Sequence, residues 1–363
     1  MPDHPSPPRT PLGRASLVLR LAAIGVVVGV VAGAFAYVNG TLDPQRLRPK
    51  TLVNALETNN GLHPGYRRNH AKGVCVAGHF ESSPAARAYS SAQVFSEART
   101  PVIGRFALPS GNPYAPDSSV PIRSLAVQFN QANGQQWRSG MNSMPVFPVG
   151  TPEAFYQMLK AGAADPATGK PNPASLPAFF ASHPETAPFL AWVKTARPSA
   201  SYASESYNGI NAFYLVSANG QRQAVRWGVV PMSQDASGAS GAVAPGGADF
   251  LQADLEQRLA AGPLRWQLQI TLANPADPVD DASKAWAGAH TVLNAGTLVF
   301  ERSQPQLDGD CRDINFDPLI LPSGIEASND PLLAARSAAY ASSYLRRTGE
   351  VSQLPNPPQE SRP

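Results

Sequence analysis

The sequence predicts an α+β body, an antiparallel β-barrel with helical additions, behind one N-terminal membrane-crossing helix. Three observations carry that prediction: an uncharged apolar run at residues 21–38, strand-like alternation through the middle of the chain, and a well-marked helix start at Asp330-Pro331. Strands followed by a late helix fit an α+β domain better than alternating α/β units. Of 363 residues 43% are hydrophobic, which supports a packed core and excludes wholesale disorder. The 37 prolines cluster in connections such as Pro166–Pro177 and at the C-terminus, so a loop-rich body of short elements is expected, not a helical bundle. The net charge of +3 is spread without basic runs, so no nucleic-acid partner is expected.

In chain order, residues 1–20 read as an N-terminal tail, 21–38 as a transmembrane signal anchor, 39–351 as one folded domain and 352–363 as a disordered tail. Leu21–Val38 is just long enough to cross hydrocarbon as a helix. Arg9, Arg14 and Arg20 precede it and Arg46, Arg48 and Lys50 follow, so charge gives orientation only a weak vote. Ala34-Phe35-Ala36 is a signal-peptidase-like site, and the length of the run favours the uncleaved anchor over cleavage. Both readings export the rest of the chain. Gly25, Gly29 and Gly33 repeat at four-residue spacing, as interfaces between membrane helices do and as membrane helices commonly do without one. Cys75 and Cys311 would pair in an oxidising compartment; two separate buried thiols are the alternative.

Trp266, Leu268, Ile270 and Leu272 alternate with Gln267, Gln269 and Thr271, the period of a half-buried strand. Leu125–Phe129, Ala212–Ser217, Gln223–Val230 and Thr297–Arg302 are similar but shorter, and Ser233–Ala248 reads as a flexible surface loop. Thr151-Pro152-Glu153 supplies an N-cap, a proline at the first helical position and an acid in the first turn. Asp330-Pro331 repeats the device ahead of Leu332–Arg347.

Arg336, Tyr340 and Arg347 share one face of that last helix. A cation one turn from a phenol favours the phenolate, and a phenolate ligates ferric haem well. The second arginine could hold a carboxylate. The same spacing suits an amphipathic helix whose tyrosine packs in a core, and spacing alone favours that reading. His70, within Tyr66–Gly73, is a natural general base, although a lone histidine is usually structural.

Taken in order, the motifs are jointly specific. His70-Ala71-Lys72-Gly73 with Gly78-His79-Phe80-Glu81 resembles the distal-histidine segment of the haem catalases. Thr100–Phe106 is similar to that family's next landmark. Arg123–Ala126, Trp137 and Asn142–Phe147 resemble the segments that supply its distal asparagine and channel wall. Asn315–Pro318, Gly324–Glu326 and Arg336–Tyr340 resemble its proximal segment. The resemblance implies a catalase-like antiparallel β-barrel core with surrounding helices over 39–351, and non-covalent haem b (iron protoporphyrin IX). It implies Tyr340 as the iron ligand with Arg336 on its oxygen, His70 as the distal base and Asn142 positioning the peroxide. Arg67, Arg105 and Arg347 fall where propionates are held, and Phe155 falls at a phenylalanine lying over the haem.

The chain departs from that pattern in ways that matter. Pro121 replaces a channel acid, Ala107 the small hydroxyl residue that orients the distal histidine, and Asn69 a valine beside it. The long N-terminal arm and C-terminal helical domain of the tetrameric catalases have no counterpart, so a monomer or dimer is expected. The resemblance is closest to the catalase-related peroxidases. It implies reduction of organic hydroperoxides, and weakly of hydrogen peroxide, by an organic electron donor; the apolar run, Ala34-Phe35-Ala36 and the cysteine pair put the expected location at the periplasmic face of the inner membrane. A hydroperoxide isomerase on the same scaffold is one alternative. An exported, non-enzymatic haem-binding protein is the other.

Overall fold

A computed structural model describes residues 13–38, 47–232 and 247–353. Most of the expected tails and nearly all of the expected loop at 233–248 lie outside those residues. The chain divides into two units, residues 1–48 and 49–363.

In the first unit, helix α1 (Arg14–Val38) has no residue buried within the chain. It starts before the predicted anchor because the residues from Arg14 to Arg20 continue a good helical pattern. At 25 residues it is long and apolar enough to cross a membrane.

The second unit is built on strands β1 (Gly73–Ser82), β2 (Thr100–Ala107), β3 (Ser124–Asn130), β4 (Gln136–Asn142), β5 (Tyr207–Asn208), β6 (Phe213–Val216), β7 (Arg222–Pro231), β8 (Leu264–Leu272), β9 (Val292–Pro305) and β10 (Ile325–Ala327). Antiparallel pairing runs β1-β2-β3-β4-β5-β7-β8-β9 and returns from β9 to β1, closing an eight-stranded barrel. Closure leaves those eight strands without a free edge. β6 pairs with β7 and carries β10 as a side branch. The β1–β9 register shifts between Ala77 and Gly78, where a Cβ on Gly78 would lie 2.0 Å from the Val299 carbonyl. Only glycine lets the strands cross so closely there.

Period-2 alternation sorts each strand between two faces. Inside, Phe80, Phe106, Phe129, Trp137, Tyr207, Trp227, Trp266 and Phe300 form the aromatic core. Trp137 stacks on Phe129 with ring centroids 4.6 Å apart and meets Trp227 edge-on at 5.0 Å. The expectation that Trp137 belongs to a channel wall is therefore corrected: it sits on the inward face of β4 with Ser139 and Met141, while Gly140 and Asn142 face outward.

Helices α2 (Pro49–Asn60), α3 (Pro152–Ala161), α4 (Ser175–Ser182), α5 (Ala187–Thr195), α6 (Phe250–Ala261) and α7 (Pro331–Val351) complete the body. Thr151 caps α3 by accepting from the Ala154 amide at 3.2 Å, and Asp330 caps α7 by accepting from Leu332 at 2.9 Å. Elements are longer than the proline content predicts, with 14 residues in β9 and 21 in α7. Prolines 49, 152 and 331 open their helices, where the missing amide hydrogen costs nothing. Arg68, buried, pairs with Glu57 of α2 and Glu350 of α7, and Arg346 of α7 reaches Glu57 at 2.9 Å.

Cys75 of β1 and Cys311, beyond β9, are joined in a fully buried disulfide across 236 residues of sequence. A cross-link closing so long a loop restricts the unfolded chain strongly. Replacing both cysteines with serine should lower unfolding free energy by about 3–5 kcal/mol. Urea titration of both forms measures the difference, and an unchanged midpoint would contradict the cross-link.

Candidate active site

The outer face of the barrel wall forms one side of a deep cavity. Two register rows cross it. Cys75, Arg105, Ala126 and Gly140 pair in succession from β1 to β4, and Ala107, Ser124, Asn142 and Asn208 pair from β2 to β5. Of these, Arg105, Ala107, Ser124, Ala126, Gly140 and Asn142 line the cavity. The opposite side comes from α7, with Leu52, Val53 and Leu56 of α2 and Phe155 of α3. The segment between α2 and β1 contributes Arg67, Asn69 and His70. All eight residues singled out in the sequence — Arg67, His70, Arg105, Asn142, Phe155, Arg336, Tyr340 and Arg347 — line this one cavity.

Tyr340 is held through a chain of side chains. Its hydroxyl accepts from Arg336 Nη2 at 3.4 Å, and Arg336 Nη1 donates to the Asn211 side-chain oxygen. Asn211 Nδ2 donates to Asp330 at 2.8 Å, the residue that also caps α7. Asn211 and Asp330 are buried, so these polar groups satisfy one another away from water. Ile210, just before Asn211, has φ +61°, strained for a β-branched residue. Its side chain is clamped among Met144, Ala282 and Leu332, which keeps the strained turn in place. A Cβ on Gly140 would lie 3.1 Å from Arg336 Nη2 and 3.7 Å from the Tyr340 hydroxyl. The bare glycine gives those groups room against the wall.

His70 sits in the left-handed region, φ +55°, with its amide donating to its neighbour's Asn69 Oδ1 at 2.9 Å. Arg68 ties this turn to α7, its amide donating to Ser343 Oγ at 3.2 Å. The ring nitrogens of His70 have no hydrogen-bond partner among the described residues. Burial, then the positive charges of Arg105, Arg336 and Arg67, lower the imidazole from 6.5 to about 3. It is therefore neutral, able to accept a proton. Across the same cavity, the Asn142 side-chain oxygen accepts from Ser124 Oγ at 2.6 Å.

Arg67, Arg105 and Arg347 make a cationic end. Arg67 donates to the carbonyls of Cys311, Arg312 and Ile314 at 3.0, 3.2 and 3.1 Å. Burial and then the like charges of Arg105 and Arg347 push its guanidinium well below the ordinary value. Arg347 Nη2 is buried with no hydrogen-bond partner among the described residues, and the nearest carboxylate, Asp313, lies 3.9 Å from Nη1 and is exposed. Crowded cations with so little countercharge fit an anionic ligand. Apolar walls, a phenol facing in and arginines at one end together fit a haem with two carboxylate tails. Among the described residues no three His, Cys, Asp or Glu side chains gather to hold a bare metal ion.

Sequence reading missed Asn211, Gly140, Ser124 and the Arg68 clamps. Asp330 had a signal as a helix cap, but nothing in the pattern around Asn211 marks it as the link between that cap and Arg336.

The Catalase family model matches residues 42–361. A catalase-related peroxidase of Synechococcus elongatus is 36% identical over 332 residues, covering 92% of this chain and 96% of that protein. A catalase-related peroxidase of Mycolicibacterium paratuberculosis is 30% identical over 313 residues, covering 86% and 98%. The crystal structure of a fungal catalase superposes with a TM-score of 0.68 at 19% identity, covering 79% of this chain and 60% of that one. With the closed barrel and the cavity on its outer wall, these matches settle the lineage: the chain belongs to the catalase family.

Proposed function

We propose that this chain is a haem peroxidase that reduces organic hydroperoxides, and hydrogen peroxide weakly, using electrons from an organic donor. One observation carries the reading: a phenol tethered to an arginine and a neutral histidine with an asparagine line the same cavity. The two relatives named catalase-related peroxidase, matched along nearly their whole length, support it.

In this reading Tyr340 would ligate the haem iron through its phenol oxygen, with Arg336 donating to that oxygen. Arg67, Arg105 and Arg347 would hold the propionates of haem b, and Phe155 would supply an apolar wall for it. Haem, when bound, supplies the redox chemistry. His70 removes the proton from the hydroperoxide and returns it to the departing oxygen as the O–O bond breaks. Asn142 donates a hydrogen bond to the peroxide and holds it for that transfer. Two electrons and two protons from the donor complete the balance, so a hydroperoxide gives an alcohol and water. The cavity walls at Phe147, Phe155, Ile210 and Leu332 suit a substrate with a hydrocarbon body. Ala107, placed beside Ser124 on the wall, offers His70 no hydroxyl. A proton carrier not tied to one position favours a positioned organic substrate over rapid turnover of two hydrogen peroxides.

The catalytic body faces the periplasm, anchored in the inner membrane by α1. An apolar helix with Arg14 and Arg20 at its N-terminal end supports this, as does a structural disulfide, which persists in oxidising compartments.

Four outcomes follow. Tyr340→Phe should lose haem or shift its optical spectrum away from tyrosinate ligation; full occupancy with an unchanged spectrum would remove Tyr340 as ligand. With tert-butyl hydroperoxide and a dye donor, dye oxidation should dominate, and an oxygen electrode should read feeble release from hydrogen peroxide. Vigorous oxygen release without dye oxidation would overturn the peroxidase assignment, and rearranged hydroperoxide without dye oxidation would favour the isomerase. Because the base form of His70 persists down to about pH 3, the dye rate should vary less than about twofold between pH 8 and 5. An ordinary histidine would lose half its base form at its usual value of 6.5. An alkaline phosphatase reporter joined after residue 353 should be active only if the body is exported; an inactive fusion would place the body in the cytoplasm.

A further inference from the structure

We infer that Ser124 is a positioning residue: it turns the Asn142 amide so that only its NH2 group faces the cavity, making that wall a hydrogen-bond donor and never an acceptor. The inference rests on the reading of Asn142 as the group that holds the peroxide.

Ser124 and Asn142 are directly opposed on β3 and β4, and both project from the outer face of the barrel into the cavity. Ser124 is only 5% exposed, and its hydroxyl donates to Asn142 Oδ1 at 2.6 Å. Among the described residues that hydroxyl has no other hydrogen-bond partner. If the amide were reversed, its nitrogen would donate to Ser124 and the serine proton would have no acceptor among the described residues. A buried hydroxyl without an acceptor is costly, so the observed polarity is the stable one.

The backbone beneath is fixed as well. Asn208 Nδ2 lies 3.5, 3.4 and 3.4 Å from the carbonyls of Asn142, Ser143 and Met144. The serine amide and carbonyl flanks are likewise held, since the Ser143 amide donates to the Arg123 carbonyl at 2.8 Å. With backbone and Oδ1 both engaged, Asn142 Nδ2 alone is left without a hydrogen-bond partner among the described residues.

The consequence is a selection rule. A fixed donor accepts only a ligand oxygen or nitrogen carrying a free lone pair, and it leaves the ligand's own proton to His70. An amide free to rotate would sometimes present its oxygen, capture that proton and orient the peroxide the wrong way. Ala107, next to Ser124 in the register row, is methyl only, so on this part of the wall Ser124 carries the hydroxyl.

The test uses the full-length, haem-loaded chain with Ser124→Ala, Ser124→Thr, Asn142→Leu and the double variant Ser124→Ala/Asn142→Leu. Ser124→Thr keeps the hydroxyl at a strand position that favours threonine. The readouts are kcat/KM for tert-butyl hydroperoxide and the affinity of the ferric protein for cyanide, followed optically. Ser124→Ala should lower both by about tenfold, as a misaligned catalytic contact does. Ser124→Thr should restore them, and Ser124→Ala should add nothing in the Asn142→Leu background. If Asn142→Leu itself behaves as wild type, the assignment of Asn142 fails. If Asn142→Leu is impaired while Ser124→Ala is not, or if the two losses multiply, the positioning role of Ser124 is overturned.

Discussion

The site depends on how closely α7 lies against the outer wall of the barrel. That depth is set at Gly140, where a single methyl group would press on Arg336 and approach Tyr340. The helix is pinned at its start by Asp330 and Asn211 and near its end by Arg68, which engages Glu350 and, through Ser343, the helix surface. Because Arg68 neighbours Arg67 and precedes His70 by two residues, the same clamp fixes both sides of the cavity. A shift of α7 would displace phenol, arginine and histidine together. Buried ion pairs rarely add much net stability, but breaking one is expensive, so such a clamp specifies geometry more than it strengthens the fold.

Charge tells a second story about the same cavity. Arg67, Arg105, Arg336 and Arg347 converge where few carboxylates answer them, and His70 is held neutral by its burial first and by Arg105, Arg336 and Arg67 second. Folding brings these cations together before any ligand offsets them. An anionic ligand held there would relieve the repulsion, which would couple binding and stability through one group of residues. The protein spends fold stability to keep a site ready.

The parts of this design that follow a period were legible in the sequence. The alternation at Trp266–Leu272 gave β8, the caps at Thr151 and Asp330 gave α3 and α7, and the spacing of Arg336, Tyr340 and Arg347 gave one helix face, which only the fold turns toward the cavity. His70 and Asn142, separated in sequence, needed the family's ordered motifs to be linked, because period says nothing about which strands meet. Trp137 was placed wrongly: neighbouring residues of one strand face opposite ways, and a motif does not say which residue looks inward. Asn211 was invisible, since its role comes from a strained turn at Ile210 and a partner at Asp330 far along the chain. The Cys75–Cys311 pairing stayed open for the same reason, as two cysteines alone carry no information on distance.

The disulfide also divides the chain in two. Its loop runs from β1 to just past β9 and contains every strand that closes the barrel, whereas α7 lies beyond it. Every strand that closes the barrel is therefore tied covalently without any part of α7. The wall with Arg105 and Asn142 belongs to the cross-linked part, and the helix bearing the phenol is held against it by noncovalent contacts. The two sides of the cavity are thus joined in different ways, one inside a covalent loop and the other outside it.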